Sequence, residues 1–225
     1  MQAVLFDLDG TLLDTVRDIG ACANHALTRY GCPPRPMEDY RVFIGNGIRQ
    51  LFRRAVPEEV PEETFAEILG FYLRYYPEHA MEQTTVFPGI PELLAQLAAA
   101  GLRTAVITNK TQASAQAIIG HYFPDHPFAF VWGRTETRPL KPDPAAGRLA
   151  CETLGLRPEE IVFFGDGDAD MGFARNAGFR AIGCDWGYRS REQLLQAGAE
   201  TVVSHPRELP PLLGLCGTGQ SPANL

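Results

Sequence analysis

Two aspartates, Asp7 and Asp9, stand directly after a short apolar run, Ala3 to Phe6, in the stretch VLFDLDGTLLDT that ends at Thr15. Side chains alternate along an extended chain, so Asp7 and Asp9 share one side while Leu8 points away. Two carboxylates held together at the end of a buried strand are costly unless a cation or a substrate uses them. Gly10, Thr11 and a third acid, Asp14, follow at once. Three further polar sets stand after runs that read as strands: Thr108 and Asn109, Lys141 within Pro139–Pro144, and Asp166 to Asp170 after IVFFG. Ligand sites in open parallel sheets gather at the carboxyl ends of the strands, so parallel neighbours would bring these segments to one pocket. With Asp7, Asp9, Asp166 and Asp170 that pocket would hold four carboxylates, together with a hydroxyl and one lysine. A hard divalent ion, Mg²⁺, balances such a set through carboxylate and backbone oxygens and water. A phosphoryl group matches the remaining donors: the Thr108 hydroxyl, the Lys141 ammonium, and backbone N–H groups at strand ends or helix starts.

The elements that must position these residues are legible from periodicity. From Thr15 to Tyr30 the apolar residues Val16, Ile19, Ala23, Ala26 and Leu27 recur at helical spacing, with Gly31 as a stop. A Pro33–Pro36 connector comes next, then a short helix from Met37, a Gly45-Asn46-Gly47 loop, and a helix carrying Ile48, Leu51, Phe52 and Ala55. A long helix opens on Pro61-Glu62-Glu63 and is expected to end near Pro77. Residues 15–85 therefore read as all-helical. From Val86 strands and helices alternate, the strands uniformly apolar, which argues for a parallel sheet covered on both faces.

The 225 residues suit one domain with an insertion or two small domains, and 45% hydrophobic with 21% charged residues is ordinary globular composition. A net charge of -7 argues against a general nucleic-acid binder. No run is apolar and long enough to span a bilayer, and the N-terminus has no basic stretch before an apolar one. The five scattered cysteines read as reduced thiols, and a cytoplasmic setting is expected.

DLDGTLLDT, VITNK, LKPDP and FFGDGDAD resemble, in order, the four motifs of the haloacid-dehalogenase superfamily. FIGNG, FPGIPELLAQL, TNK and WGY are most similar to phosphoglycolate phosphatases within it. The resemblance implies an α/β fold: a doubly wound parallel-sheet (Rossmann-like) core from residues 1–14 and 86–215, with a helical cap at 15–85. Residues 216–225 are expected to be a disordered tail. It also implies a Mg²⁺-dependent phosphomonoester hydrolase acting through an aspartyl-phosphate on a small anionic metabolite, 2-phosphoglycolate first. Asp7 would be the nucleophile, and Asp9 the acid and base, its backbone carbonyl joining Asp7 and Asp166 on the metal. Asp170 would sit beside that shell, and Thr108 and Lys141 would bind the phosphoryl oxygens, with the Asn109 and Gly10 amides as further donors. Dehalogenation needs neither the acid at Asp9 nor a metal, so those acids favour phosphoryl transfer. The alternatives are a pyrophosphatase, a phosphosugar mutase, or a non-catalytic phospho-ligand-binding protein. The expected partner is a small phosphorylated metabolite, with neither nucleic acid nor membrane, in a monomer or homodimer.

Other residues near the motifs read less specifically. Glycine stands at Gly167 where this family often has serine, and Asp168 reads as a helix N-terminal acid favoured by the macrodipole. Lys110 and Arg49 read as solvated surface residues, and Thr11 as a structural hydroxyl in the turn. Asn46 suits either a turn or a substrate-facing loop. Gly187-Tyr188 suits a loop beside the pocket or simple packing.

Overall fold

The computed structural model describes residues 1–215, so the expectation for 216–225 lies outside the described residues. In chain order the elements are β1 (Ala3–Phe6), β2 (Leu13–Asp14), α1 (Val16–Arg29), α2 (Met37–Phe43), α3 (Ile48–Ala55), α4 (Glu62–His79) and β3 (Thr85–Val86). Next come α5 (Ile90–Ala99), β4 (Arg103–Thr111), α6 (Gln112–Tyr122), β5 (Val131–Arg134), α7 (Ala145–Leu154) and β6 (Ile161–Gly165). The chain continues through α8 (Asp168–Ala177), β7 (Arg180–Cys184), α9 (Arg191–Ala197), β8 (Thr201–Val203) and α10 (Leu209–Leu212). Six strands form one parallel sheet in the order β5-β4-β1-β6-β7-β8: the parallel sheet is what the uniformly apolar strands argued for, and the doubly wound order is what the family resemblance implied.

The central position of β1 decides which polar residues share the carboxyl edge of the sheet. Phe6 pairs with Val106 of β4 on one side and Phe164 of β6 on the other. Asp7 lies one residue past that rung, and Thr108 and Asp166 each lie two past it, so the three emerge at the same sheet edge. Alternation buries both faces. Val4, Phe6, Val106 and Phe164 pack with Leu93, Leu97, Ile118 and Leu209 on one side. Ala3, Leu5, Ile107 and Phe163 pack with Ala150, Phe173 and Leu194 on the other. The strands lack polar alternation because neither face meets water.

The helices α1 to α4 form a separate layer over the carboxyl edge of the sheet, and their apolar side joins the first of these clusters through Tyr40, Phe52, Phe65 and Tyr72. Two features differ from the sequence expectation. Thr85, expected within an all-helical segment, belongs to a strand: β3 pairs antiparallel with β2, so both chain crossings into the helical layer are tied together. A two-residue ladder is too short to leave a period-2 signal. The long helix also continues to His79 with Pro77 inside it. Pro77 forfeits its backbone donor to Leu73 O and crowds that carbonyl, so only two helical residues follow it.

A buried aspartate secures these crossings from inside. Asp18, 1% exposed in α1, accepts hydrogen bonds from the backbone N–H of Gln83 (2.9 and 3.1 Å) and of Thr84 (2.9 Å), and from the Thr84 hydroxyl (2.7 Å). Replacing it by alanine strands the buried Thr84 N–H and leaves the Thr84 hydroxyl only Ala80 O, at 3.1 Å. Asp18→Ala is expected to cost about 3 kcal/mol of stability, measured by urea unfolding, and a loss below about 1 kcal/mol would remove this role.

Candidate active site

The turn after β1 is built on one carbonyl. Leu8 O accepts from the N–H groups of Thr11 (3.3 Å), Leu12 (3.1 Å) and Leu13 (3.1 Å), and Gly10 closes the loop by donating its own N–H to Leu13 O at 2.8 Å. Gly10 has φ of +83°, a region that penalises a Cβ, and a Cβ there would lie 2.2 Å from Asp166 Oδ2. The expected role of the Gly10 amide as a donor to substrate therefore meets a correction: that N–H is already used within the turn. What the glycine supplies is the close approach of the first motif to Asp166.

Asp7, Asp166 and Asp170 come together, each offering a carboxylate oxygen within 4.8 Å of the others. Asp166 accepts from the Thr11 hydroxyl (3.1 Å) and the Tyr188 N–H (2.8 Å). Gly187 also lacks the Cβ that would meet Asp166 Cβ at 2.4 Å. The WGY segment thus holds this acid, and Thr11 has the structural hydrogen bond expected of it. Asp170 stands in the first turn of α8, accepts from the Gly167 N–H at 2.9 Å through Oδ2, and turns Oδ1 to Lys141 Nζ at 2.7 Å. Lys141 Nζ also lies 2.8 Å from Asp7 Oδ1 and donates to Ile107 O at 2.9 Å. Asp7 Oδ1 makes no well-aligned hydrogen bond even so. Asp168 is outside the group: its side chain is 55% exposed and lies 3.5 Å from Arg189 Nε.

Two buried carboxylates, Asp166 and Asp170, and the partly buried Asp7 against one ammonium leave an excess of negative charge. Burial, then the neighbouring Asp170 charge, push Asp7 up to about 7 despite the opposing lysine. Burial, reinforced by Asp170 and Asp7, pushes Asp166 well above the carboxylate range. Burial by itself would lower Lys141, yet the Asp170 and Asp7 charges outweigh it and raise the ammonium's pKa. This donor set fits a hard divalent cation, with oxygen ligands only and an uncompensated charge to match.

Above this cluster lies a cavity of about 440 Å³ between the sheet edge and the helical layer. Asp7, Asp9, Thr108, Asn109, Lys110, Asp166 and Asp170 form its polar floor, and Ile19, Ile48, Leu51, Tyr72 and Met81 are among its apolar walls. β4 reaches the floor because it runs on to Thr111, its register against β5 slipping between Ile107 and Thr111. Thr108 is buried and accepts from the Lys110 N–H at 3.3 Å. The Asn109 side chain serves as a brace. Its Oδ1 accepts from the Lys141 N–H (2.7 Å), while its Nδ2 donates to Lys141 O (3.2 Å) and to Gly45 O of the FIGNG segment (3.0 Å).

Several placements differ from the sequence reading. Asn46 is not in this cavity: its Oδ1 accepts from Arg54 Nη2 at 3.0 Å, while its neighbours Gly45 and Gly47 line the wall. Lys110 is not a solvated residue: its side chain is 8% exposed and its Nζ lies 2.7 Å from Asp9 Oδ1. Arg49, by contrast, is on the surface as expected, paired with Glu62. The Asp9 side chain stands apart from the acidic cluster, bonded to Lys110 and to the Thr15 hydroxyl, so only its backbone carbonyl is left for the metal role expected of it. Thr15 carries no signal in the sequence beyond closing the motif, and its own N–H donates to Tyr188 Oη at 3.1 Å. Arg189 carries none either. It donates to Arg41 O (2.7 Å) and Ile44 O (2.8 Å), fastening the helical layer to the core.

A parallel doubly wound sheet carrying an acidic cluster at its carboxyl edge, under an inserted helical layer, defines a class of hydrolase. Residues 4–184 match the family model of haloacid dehalogenase-like hydrolases, and the chain belongs to that family. It is a phosphatase of the phosphoglycolate phosphatase-like group. Phosphoglycolate phosphatase 1 of Pseudomonas aeruginosa is 34% identical over 216 residues, 93% of this chain and 79% of that protein. N-acetylmuramic acid 6-phosphate phosphatase of the same organism is also 34% identical, over 211 residues and 93% of each chain. A solved structure from Lactobacillus delbrueckii subsp. bulgaricus, itself only provisionally assigned as a phosphoglycolate phosphatase, has a TM-score of 0.88 at 28% identity. It covers 96% of this chain and 98% of that one.

The raised Asp7 carboxyl has a consequence for the metal-free protein. Between the ordinary value of 3.8 and about 7, the folded chain holds a proton that the unfolded chain has released. Stability without metal must therefore fall as pH rises through that window, and a cation bound among these carboxylates would take the place of the proton. Any rise in Tm on adding a divalent cation to EDTA-treated protein is expected to be larger at about pH 7.5 than at about pH 5. Equal shifts at both pH values would contradict this electrostatic account.

Proposed function

We propose that this phosphatase is a Mg²⁺-dependent phosphomonoesterase working through an aspartyl-phosphate, with 2-phosphoglycolate as its first candidate substrate. The observation that carries this reading is Asp7 on the cavity floor, packed among Asp166, Asp170 and Lys141 at the end of the central strand. Asp7, Asp166 and Asp170 are the residues that would hold or surround the cation, together with the Asp9 carbonyl. The cation supplies charge neutralisation, which lets a carboxylate approach a phosphate dianion.

The chain's own groups divide the remaining work. One Asp7 oxygen attacks phosphorus, converting a very slow hydrolysis into two easier steps. Asp9 protonates the departing alcohol and afterwards accepts a proton from the water that releases phosphate. Lys141, expected from the resemblance to bind a phosphoryl oxygen, has its Nζ taken up by Asp7, Asp170 and Ile107 O and is not among the cavity-lining residues. Its part is therefore to fix Asp7 and compensate its charge, while Thr108 offers its hydroxyl to a phosphoryl oxygen. Asn109, tied to both Lys141 and Gly45, aligns that floor with the helical layer. The helical layer covers the cavity and excludes water during transfer.

The names of the relatives support phosphoglycolate first. The apolar walls and a volume of about 440 Å³ favour a second reading, a larger sugar-type phosphate such as the relative from Pseudomonas aeruginosa is named for. Hydrolysis of p-nitrophenyl phosphate with Mg²⁺ is expected to disappear in EDTA and in Asp7→Asn, by a factor of at least about 10³. Turnover unaffected by both would sink the mechanism. A panel of phosphorylated metabolites compared by kcat/KM separates the two substrates. Net isomerisation of a hexose phosphate would instead indicate a mutase.

A further inference from the structure

The two oxygens of Asp9 have unequal surroundings. Both donors that reach this carboxylate, the Thr15 hydroxyl and the Lys110 ammonium, converge on Oδ1. Oδ2 has no hydrogen-bond partner among the described residues, and the Asp9 side chain retains 13% exposure on the cavity floor. The lysine is itself confined. Its side chain is 8% exposed, and its Nζ stands 5.0 Å from the ring centre of Tyr76, which the helical layer contributes from α4. A cation over an aromatic face is held there by the ring quadrupole. Lys141, in contrast, lies against Asp7, Asp170 and Ile107 O, and nothing ties it to Asp9. The two lysines of the site thus serve different acids.

We propose that Lys110 is a positioning residue for Asp9: with Thr15 it clamps Oδ1, so that Oδ2 alone exchanges the proton with the leaving group. This inference rests on the phosphomonoesterase reading above. The χ2 torsion of an aspartate is broad and nearly two-fold, so an unclamped carboxylate spreads its proton over two oxygens and many angles. Two donors on Oδ1 leave no place for a proton there and direct it to Oδ2. As the Asp7–phosphorus bond forms, the ester P–O bond breaks and its electron pair stays with the alcohol oxygen. That oxygen takes the proton from Oδ2, leaving Asp9 ionised. In the second step water attacks phosphorus, its proton passes to Oδ2, and the electron pair of the Asp7–phosphorus bond returns to the Asp7 carboxylate. Protons and charge balance over the cycle.

General acid assistance matters most for a poor leaving group. Lys110→Met is therefore compared with the native enzyme, both with Mg²⁺, on p-nitrophenyl phosphate and on 2-phosphoglycolate or the fastest alkyl phosphate of the panel. The readout is kcat/KM, which covers steps only through departure of the alcohol and leaves out release of phosphate. The alkyl ester is expected to lose about 30-fold and the nitrophenyl ester no more than about threefold, a shift of about tenfold in their ratio. Lys110→Arg is expected to restore most of the ratio, and Lys110→Ala serves if the methionine variant does not fold. An equal loss on both esters, or no loss on either, overturns the proposal. Asp7→Asn distinguishes the layers: if it still turns over both esters, the phosphomonoesterase mechanism fails, whatever Lys110 does.

Discussion

Three carboxylates, Asp7, Asp166 and Asp170, are packed at the end of the central strands with a single ammonium, Lys141, among them. Like charges within a few ångströms and away from water repel strongly, and burial withdraws the solvent that would screen them. Much of the surrounding structure answers this constraint. Gly10, Gly165 and Gly187 are places where a Cβ would collide with one of these acids. The Thr11 hydroxyl and the N–H groups of Tyr188 and Gly167 point hydrogen-bond donors at them. The donors offset part of the cost, and the remaining negative charge makes the cluster receptive to a cation. An acid cluster that a fold supports this carefully is a poor surface ornament and a good reaction centre.

The helical layer is joined to this centre by polar contacts at the cavity rim. Asn109 bridges Lys141 and Gly45, and Arg189 reaches the carbonyls of Arg41 and Ile44. Lys110 touches Asp9 on one side and the Tyr76 ring on the other. Residues that bear on the chemistry therefore also hold the cover in place. The β2–β3 ladder and the Asp18 network tie down the crossings behind them.

Motif residues and their supports differ in how legible they are. The acids after β1 and β6 stand out because polar residues interrupt uniformly apolar strands, and the strand order then carries them to one edge. Lys110 is different. Beside an exposed strand end it reads as a surface lysine, and its burial depends on Asp9 and Tyr76, which are 101 and 34 residues away. Asn46 shows the converse, since a polar residue between two glycines looks aimed at substrate until Arg54, eight positions on, accounts for its side chain. Gly10 reads as a donor although the turn that it makes consumes its N–H. Asp18 carries no signal, as an acid in the first turn of a helix is commonplace.

Local order, then, was determined by the sequence alone: which segments are helices or buried strands, that the strands run parallel, and which carboxylates terminate them. These come from periodicity and from the cost of burying charge, both of which act over a few residues. The tertiary structure decided the pairings: Lys141 with Asp7 and Asp170, Lys110 with Asp9, and Tyr188 with Asp166. It also decided the cavity's walls, which come from helices far along the chain. Charge partners are chosen by distance in space, and in a doubly wound fold that distance is set by strand order and register rather than by spacing along the chain.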